Sequence, residues 1–325
     1  MGLLVDGHWV QDEAGKASAS GRFERKESTL RHWVTADGSA GPSGAGGFAA
    51  EAGRYHLYVA LACPWAHRTL IFRKLKALEE MISISCVHWY MGEQGWTFDP
   101  GPDVIADPVF GARAMYEIYA ASDPQFTGRV TVPVLFDKKT QRIVNNESSE
   151  IIRMFNSAFD CIGAATGDYY PAALRPEIDA LNARIYDTVN NGVYKSGFAA
   201  SQSAYEEAVA PLFETLDWLD ERLASRRYLC GAQQTEADWR LFTTLIRFDA
   251  VYVGHFKCNL KRIADYRNLS AYLRDLYQQP GIAETVNLMH IKHHYYQSHH
   301  RLNPSGIVPL GPKLDLSAPH GRAAL

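Results

Sequence analysis

Residues 55–65 read YHLYVALACPW, a sequence in which a strand-forming run leads directly into the start of a helix. Residues 55–61 are apolar and rich in β-favouring types, which predicts a buried strand. Pro64 fits the first turn of a helix, where its missing N–H is not needed. Cys63 is therefore expected at the joint between a strand and a helix.

The segments that follow extend this pattern. Leu70, Leu75 and Leu78 lie roughly on one face of a helix running to about residue 77. Residues 82–90 (ISISCVHWY) read as a second strand, and strand–helix–strand order predicts a parallel pair with a crossover helix. Next come a helix near residues 112–120, a hairpin from residues 132–137 and 142–145, and a helix from Asn146. The order βαβ, helix, ββα predicts an α/β thioredoxin-like domain over residues 54–160.

The flanking regions have a different composition. Residues 35–53 are rich in Gly, Ala and Ser, so residues 1–53 are predicted to be an N-terminal arm with a flexible loop. Apolar residues recur every three to four positions from Pro176 onward, which predicts an all-α domain over residues 171–290. Within it, Thr235 and Asp238 have the spacing of a capping box. Residues 291–325 are read as an irregular tail.

Bulk charge excludes some partners. The 325 residues carry 33 Lys and Arg against 36 Asp and Glu, so no basic excess attracts nucleic acid or an anionic membrane. No apolar run approaches the length of a membrane span, and the N-terminal residues lack the pattern of a signal peptide. We therefore expect a cytoplasmic protein.

Cys63 is the candidate nucleophile. The N-terminus of a helix stabilises a thiolate, and the thiolate is the reactive form of cysteine. The chain has five cysteines at wide spacings and no CxxC, which argues against a disulfide framework or a zinc site; no metal is expected. Ala66 stands where a dithiol enzyme has its second cysteine. A mixed disulfide on Cys63 would need an external thiol to release it, and glutathione is the main small thiol of the cytosol.

Three further segments suit glutathione. Val132-Pro133 opens a predicted strand, and we predict a cis bond there, with the backbone of Val132 free to pair with a peptide. Ser148, at a helix start, could bind the γ-glutamyl carboxylate, and Glu147 could accept the α-ammonium group. Arg129 is a reasonable partner for the glycyl carboxylate, and Trp96 could pack over the tripeptide. Each has a plainer explanation singly: an ordinary trans proline at a strand start for Pro133, helix capping for Ser148, and core packing or a solvated surface position for Trp96 and Arg129.

Together these motifs resemble the xi-class glutathione transferases, the glutathionyl-hydroquinone reductases. The resemblance covers roughly residues 1–315, and CPWAHR together with the distant NESSE is specific. Cys-Pro-Trp alone would leave the omega class open. The motifs are CPWAHR at 63–68, the region of Trp96, VPVL at 132–135, NNESSEI at 145–151, VYKSGFA at 193–199 and HHYYQSH at 293–299.

The resemblance implies a homodimer with a thioredoxin-like domain and an all-α domain. It implies that glutathione is held by Trp96, Arg129, Val132, Glu147 and Ser148. It also implies that Tyr194, Tyr252 and Tyr295 grip an aromatic hydroquinone, with Tyr194 and Tyr295 as candidate catalytic groups beside Cys63. From the residues alone, each of the three tyrosines would be read as packing.

The resulting hypothesis is reduction of glutathionyl-hydroquinones through a Cys63–glutathione mixed disulfide. An omega-like thiol transferase or dehydroascorbate reductase would use the same cysteine, so the sequence barely separates the two. A non-enzymatic binding module of the same fold is disfavoured by the intact cysteine and glutathione motifs. A transferase that activates glutathione through Tyr or Ser is disfavoured because cysteine follows the first strand of the predicted domain.

Overall fold

The computed structural model describes residues 2–11 and 21–325, which form two compact units. The first, here called the thioredoxin-like unit, contains the N-terminal strands, Glu27–Gly167 and Met289–Ser298. The second, the helical unit, contains Asp168–Leu288 and His299–Leu325, together with residues 21–26. Each unit therefore combines segments that are distant in sequence.

The thioredoxin-like unit contains two sheets. One has the strand order β4-β3-β6-β7, with β3 parallel to β4 and antiparallel to β6, and the other has the order β2-β1-β5. The predicted order βαβ, helix, ββα is confirmed. The strands are β1 Gly2–Val5, β2 His8–Gln11, β3 Tyr55–Val59, β4 Ile82–Cys86, β5 Gly128–Arg129, β6 Val134–Asp137 and β7 Arg142–Asn145, and the helices are α1 Pro64–Leu75, α2 Met115–Ser122 and α3 Ser148–Ser157.

Strand β3 is the centre of this unit. All five of its residues are buried, and it lies between β4 and β6 in the four-stranded sheet. Its parallel pairing with β4 aligns Val59 with Cys86, so the carboxyl ends of both strands lie at the same edge of the sheet. The chain leaves β3 there and enters α1, so the joint that contains Cys63 lies at the carboxyl edge of the sheet.

The predicted arm over residues 1–53 begins differently from expectation. Residues 2–11 form the β1–β2 hairpin, turned at Asp6 and Gly7, instead of irregular chain. Both turn residues have positive φ, 47° and 76°, as the two-residue turn that matches strand twist requires. Residues 35–53 are irregular apart from one bridge between Thr35 and Ala49, as expected.

The helical unit is built around a helix that is buried along its whole length. Every residue of Glu236–Arg247 is buried, and the predicted capping box of Thr235 and Asp238 opens it. π-helical turns interrupt the helices at Tyr186–Asn190 and Phe248–Tyr252. The helices are α4 Arg175–Ile185, α5 Gly192–Gly197, α6 Gln202–Arg222, α7 Glu236–Arg247, α8 Val253–His255 and α9 Arg267–Tyr277.

A last helix, α10 Leu288–Ser298, contributes almost all its residues to the thioredoxin-like unit. The boundary predicted at residue 290 therefore falls inside a helix. Among residues 2–11 and 21–325, no helix combines the length and apolar character needed to cross a membrane.

Candidate active site

Cys63 is the N-cap of α1. Its Sγ accepts a hydrogen bond from the N–H of Ala66 and lies 3.5 Å from the carbonyl oxygen of Val132. The side chain is half-buried, with Pro64 buried behind it in the first helical position. The sulfur is thus both accessible and held against the helix N-terminus, where partial positive charge favours a thiolate.

The other cysteines have different surroundings. Burial raises the pKa of Cys86 and of Cys258 to about 12, and that of Cys230 to about 11. These three thiols are therefore protonated at neutral pH and unsuited to nucleophilic attack. Cys161 is exposed, in a short turn after α3.

The Val132–Pro133 bond is cis, as predicted. Val132 is 5% exposed, and its carbonyl faces the sulfur of Cys63 at the start of β6. The structure thus brings together two of the predicted site residues, which are 69 positions apart in sequence.

Glu147 and Ser148 begin α3, and their roles there differ. Glu147 is the N-cap: its Oε1 accepts from the N–H of Ser149 at 3.0 Å, and its Oε2 accepts from Ser28 Oγ at 3.3 Å. Ser148 is buried, and its Oγ accepts from Nη1 of Arg68 at 3.4 Å. Arg68 belongs to α1, so its guanidinium connects the helix that begins after Cys63 to the start of α3.

Trp96 lies in the long connection between β4 and α2. Its backbone carbonyl accepts from the N–H of Met115, and its indole packs on the imidazole of His294 in α10. The ring is 7% exposed. Sequence reasoning did not single out His294, although the histidine-rich run in α10 is visible in the sequence.

Arg129 lies on β5, which pairs with β1 of the N-terminal hairpin. Its residue partner across the strands is Leu3. The side chain is half-exposed, so β5 and the hairpin together determine where this cation stands.

Tyr194 and Tyr252 lie together in the helical unit. Their ring centroids are 6.2 Å apart, and Tyr252 ends the π-helical turn after α7. Tyr252 is fully buried and stacks on Phe256, whereas Tyr194 is half-buried. π-Helical turns occur often at functional sites, because the extra residue redirects the side chains that follow.

Several neighbours of these tyrosines were missed by the sequence analysis. Arg25 places its guanidinium carbon 4.9 Å from the ring centre of Tyr194. Beside Phe256, His255 Nε2 lies 3.1 Å from His299 Nδ1. Burial lowers the pKa of His255 to about 4, so that ring is neutral at pH 7. No local sequence signal identifies these contacts. Besides Tyr252, the aromatic neighbours of Tyr194 include Phe23, Phe198 and Phe256.

Tyr295 belongs to the other unit. It lies on α10, is 1% exposed, and meets the ring of His294 edge-on at 5.3 Å. The structure therefore divides the three predicted tyrosines: Tyr295 lies in the unit that carries Cys63, and the other two lie in the helical unit.

A thioredoxin-like unit with a thiol at its first strand–helix joint, combined with a helical unit, defines a glutathione transferase. Family models agree: the glutathione S-transferase N-terminal domain matches residues 62–158, and its C-terminal domain matches residues 202–275. The chain is 59% identical to the glutathionyl-hydroquinone reductase YqjG of Escherichia coli, over 99% of this chain and 98% of that protein. It belongs to the glutathione S-transferase family, and within it to the xi class.

Other relatives and solved structures agree with this membership. The glutathionyl-hydroquinone reductase PcpF of Sphingobium chlorophenolicum is 60% identical over 96% of each chain. The glutathione-bound structure of the Escherichia coli protein has a TM-score of 0.92, with 58% identity and 99% of both chains covered. A xi-class transferase from Natrialba magadii has a TM-score of 0.94, with 49% identity over 100% of this chain and 98% of that one. An omega-like transferase of Schizosaccharomyces pombe is 47% identical over 91% of this chain and 95% of that protein.

Proposed function

We propose that this protein catalyses the glutathione-dependent reduction of glutathionyl-hydroquinones to hydroquinones. The observation that carries the proposal is the position of Cys63 Sγ, accessible at the N-terminus of α1 and 3.5 Å from the Val132 carbonyl, with Ala66 in place of a resolving cysteine. Support also comes from the high identity to two reductases of that name.

In the first step, the Cys63 thiolate attacks the thioether sulfur of the conjugate. A sulfur–sulfur bond forms and the bond between sulfur and ring carbon breaks, so the electron pair leaves with the ring. A tyrosine hydroxyl, from Tyr194 or Tyr295, donates a proton to that carbon. The products are the free hydroquinone and a mixed disulfide between Cys63 and glutathione.

In the second step, the thiolate of another glutathione attacks the mixed disulfide. Oxidised glutathione leaves and the Cys63 thiolate is regenerated. An external thiol is needed for this step because no second cysteine stands three residues after Cys63. Over the cycle, one carbon–sulfur bond is reduced and two glutathione sulfurs are joined.

We assign glutathione binding to five residues. The backbone of Val132 pairs with the peptide, as a strand added beside the cis-proline. Ser148 and the N-terminus of α3 bind the γ-glutamyl carboxylate, and Glu147 accepts its α-ammonium group. Arg129 binds the glycyl carboxylate and Trp96 packs over the tripeptide. Tyr252, with Tyr194 and Tyr295, is assigned to the aromatic ring of the substrate.

We also propose a homodimer, on the family resemblance. A cytoplasmic location goes with the proposed reaction, because the second step consumes reduced glutathione and the cytosol keeps that thiol reduced.

The test follows oxidised glutathione when the protein is incubated with glutathionyl-menadiol and glutathione, while intact mass detects a glutathione adduct on Cys63. Turnover well above that with dehydroascorbate is expected. Cys63→Ser should abolish both turnover and adduct, whereas Cys161→Ser, at an exposed cysteine, should change neither. Near-normal turnover by Cys63→Ser would sink the proposal. An adduct without thioether turnover would favour the omega-like thiol transferase or dehydroascorbate reductase, a reading to which the omega-like fungal relative lends weight.

A further inference from the structure

The β1–β2 hairpin, residues 2–11, leaves much of its apolar surface exposed. Leu4 is fully buried, but Val5 and Val10 are 39% and 42% exposed. The polar contacts of the hairpin are instead directed at two segments, residues 124–129 and residues 93–95. These two segments lead directly into Arg129 and Trp96.

The first attachment is to the strand that carries Arg129. Leu3 pairs with Arg129, and Leu4 pairs with Gly128, in an antiparallel ladder. At the turn, the N–H of Gly7 donates to the Phe126 carbonyl at 3.0 Å. The β5 segment is only two residues long, so its position depends on this pairing within the described residues.

The same attachment includes a side chain. The N–H of Asp6 donates to Thr127 Oγ1 at 2.9 Å, and that hydroxyl donates to Asp6 Oδ1 at 3.2 Å. The turn also lies tightly on the chain beneath it, because a Cβ on Gly7 would stand 1.9 Å from the Pro124 carbonyl oxygen.

The second attachment is to the loop that carries Trp96. Trp9 Nε1 donates to the Glu93 carbonyl at 3.1 Å. Its ring covers Gly95, where a Cβ would stand 2.8 Å from the indole, and that residue has a φ of +69°. The ring also stacks on Tyr116 of α2, with centroids 4.9 Å apart and 22° between the planes. Trp9 therefore holds the residues immediately before Trp96.

We propose that the N-terminal hairpin is a positioning element for glutathione, which holds Arg129 and Trp96 where the glycyl end of the tripeptide binds. The inference rests on the binding roles assigned above to those two residues. Without the hairpin, both segments would have to be ordered when the ligand binds, and that lost freedom would weaken affinity. The contacts described above place the hairpin on the segments before Arg129 and Trp96, so the chemical step at Cys63 should be affected far less than binding.

The experiment measures binding of S-methylglutathione, which has no thiol to form a disulfide, by calorimetry on the full chain. Trp9→Ala should raise its Kd by about five- to tenfold. Trp9→Phe keeps a ring on Gly95 and Tyr116 but loses the N–H donor, so it should recover most of the affinity. Val10→Ala, on the same strand and exposed, should leave Kd within about twofold. Hydrogen exchange of the amides of residues 93–97 should be faster in Trp9→Ala than in the wild type, and unchanged in Trp9→Phe and Val10→Ala.

Thr127→Val tests the other attachment and serves if Trp9→Ala does not fold. It removes the hydroxyl shared with Asp6 and should raise Kd by about threefold or more. In Trp9→Ala and in Thr127→Val, the KM for glutathione should rise, while kcat at saturating glutathione stays within about twofold of the wild-type value. A variant that lowers thermal stability but leaves Kd unchanged would show a purely structural hairpin and overturn the inference.

Two further variants separate this inference from the proposed function. Trp96→Leu and Arg129→Ala act directly on the assigned ligand contacts. Unchanged Kd in both would refute those binding roles, whatever the hairpin does. Weaker binding in both, with no change in Trp9→Ala and Thr127→Val, would refute the hairpin inference alone.

Discussion

The indole of Trp96 lies against the imidazole of His294, with ring centroids 4.8 Å apart and 25° between the ring planes. His294 Nδ1 donates to the Trp89 carbonyl at 2.8 Å, and His290 Nε2 donates to the Pro102 carbonyl at 2.7 Å. Helix α10 therefore binds the connection between β4 and α2 on both sides of Trp96, through backbone oxygens and through one stacked ring.

Two substitutions at His294 separate the hydrogen bond from the ring contact. His294→Asn retains a donor near the position of Nδ1 but removes the ring, and His294→Phe does the reverse. Because the ring contacts Trp96, we expect His294→Asn to raise the KM for glutathione by about three- to fivefold, with kcat nearly unchanged. His293→Asn is the matched control on the same helix, since that ring contacts Trp89 instead. An equal rise of KM in His294→Asn and His293→Asn would assign the effect to helix docking in general.

Ser148→Ala tests the start of α3. Its buried hydroxyl is assigned to the γ-glutamyl carboxylate, and a hydrogen bond to a charged group contributes enough that the Kd for glutathione should rise by about tenfold. Ser157→Ala, at the other end of α3, is the control, because that exposed hydroxyl donates to the Arg153 carbonyl. Calorimetric titration of both variants checks the prediction, and equal affinities would remove Ser148 from the site.

Tyr194 is the more suitable of the two candidate proton donors. It is half-buried whereas Tyr295 is 1% exposed, and the positively charged guanidinium of Arg25 lies over its ring. Tyr194→Phe should therefore lower kcat for glutathionyl-menadiol by about a hundredfold.

The measurement compares kcat and KM for single Phe substitutions at the three tyrosines. Tyr252→Phe should change mainly KM, because its hydroxyl is assigned only to binding. A large loss of kcat in Tyr295→Phe, with little change in Tyr194→Phe, would transfer the proton-donor role to α10.

His56 makes stability depend on pH. It is fully buried in β3, with Nδ1 2.7 Å from Ser83 Oγ and Nε2 2.9 Å from Ser85 Oγ, and burial lowers its pKa from 6.5 to about 4. Between pH 4 and pH 6.5 the unfolded chain binds this proton and the folded chain does not. The free energy of unfolding therefore falls as pH falls through that window, by about 2 kcal/mol at pH 5.

Urea unfolding at pH 7.5 and pH 5.0 measures this dependence. His56→Gln should be less stable than the wild type at both values but should show a smaller difference between them. His255, whose pKa burial also lowers to about 4, contributes in the same direction in the helical unit and remains in both proteins. An unchanged difference in His56→Gln would refute the assignment.

The features predicted correctly are those that neighbouring residues determine. The run before Cys63, the helix that Pro64 starts and the strand at β4 follow from local pattern and backbone preference. The cis bond before Pro133 followed from the thioredoxin-like order of elements, in which a proline opens the strand that faces the cysteine. The helix expected near residues 112–120 is displaced by a few positions to Met115–Ser122, a common error at helix boundaries.

The hairpin was missed although its signal is present. Asp6-Gly7, between residues 3–5 (LLV) and residues 8–10 (HWV), is a strong indicator of a two-residue hairpin turn, but the mixed and polar composition of residues 1–34 suggested an arm. The contacts of Trp9, Arg25 and His294 could not be predicted, because each joins segments more than 80 residues apart and pattern reasoning has no measure of such pairings.

Helix α10 has a consequence for how the protein is made. The ribosome completes the nucleophile segment and Asp168–Leu288 of the helical unit before it adds His294 and Tyr295, although these two residues belong to the thioredoxin-like unit. A nascent chain therefore exposes Cys63 well before Trp96 acquires its stacked partner. On the binding role proposed above for Trp96, the geometry that holds glutathione would be complete only near the end of synthesis.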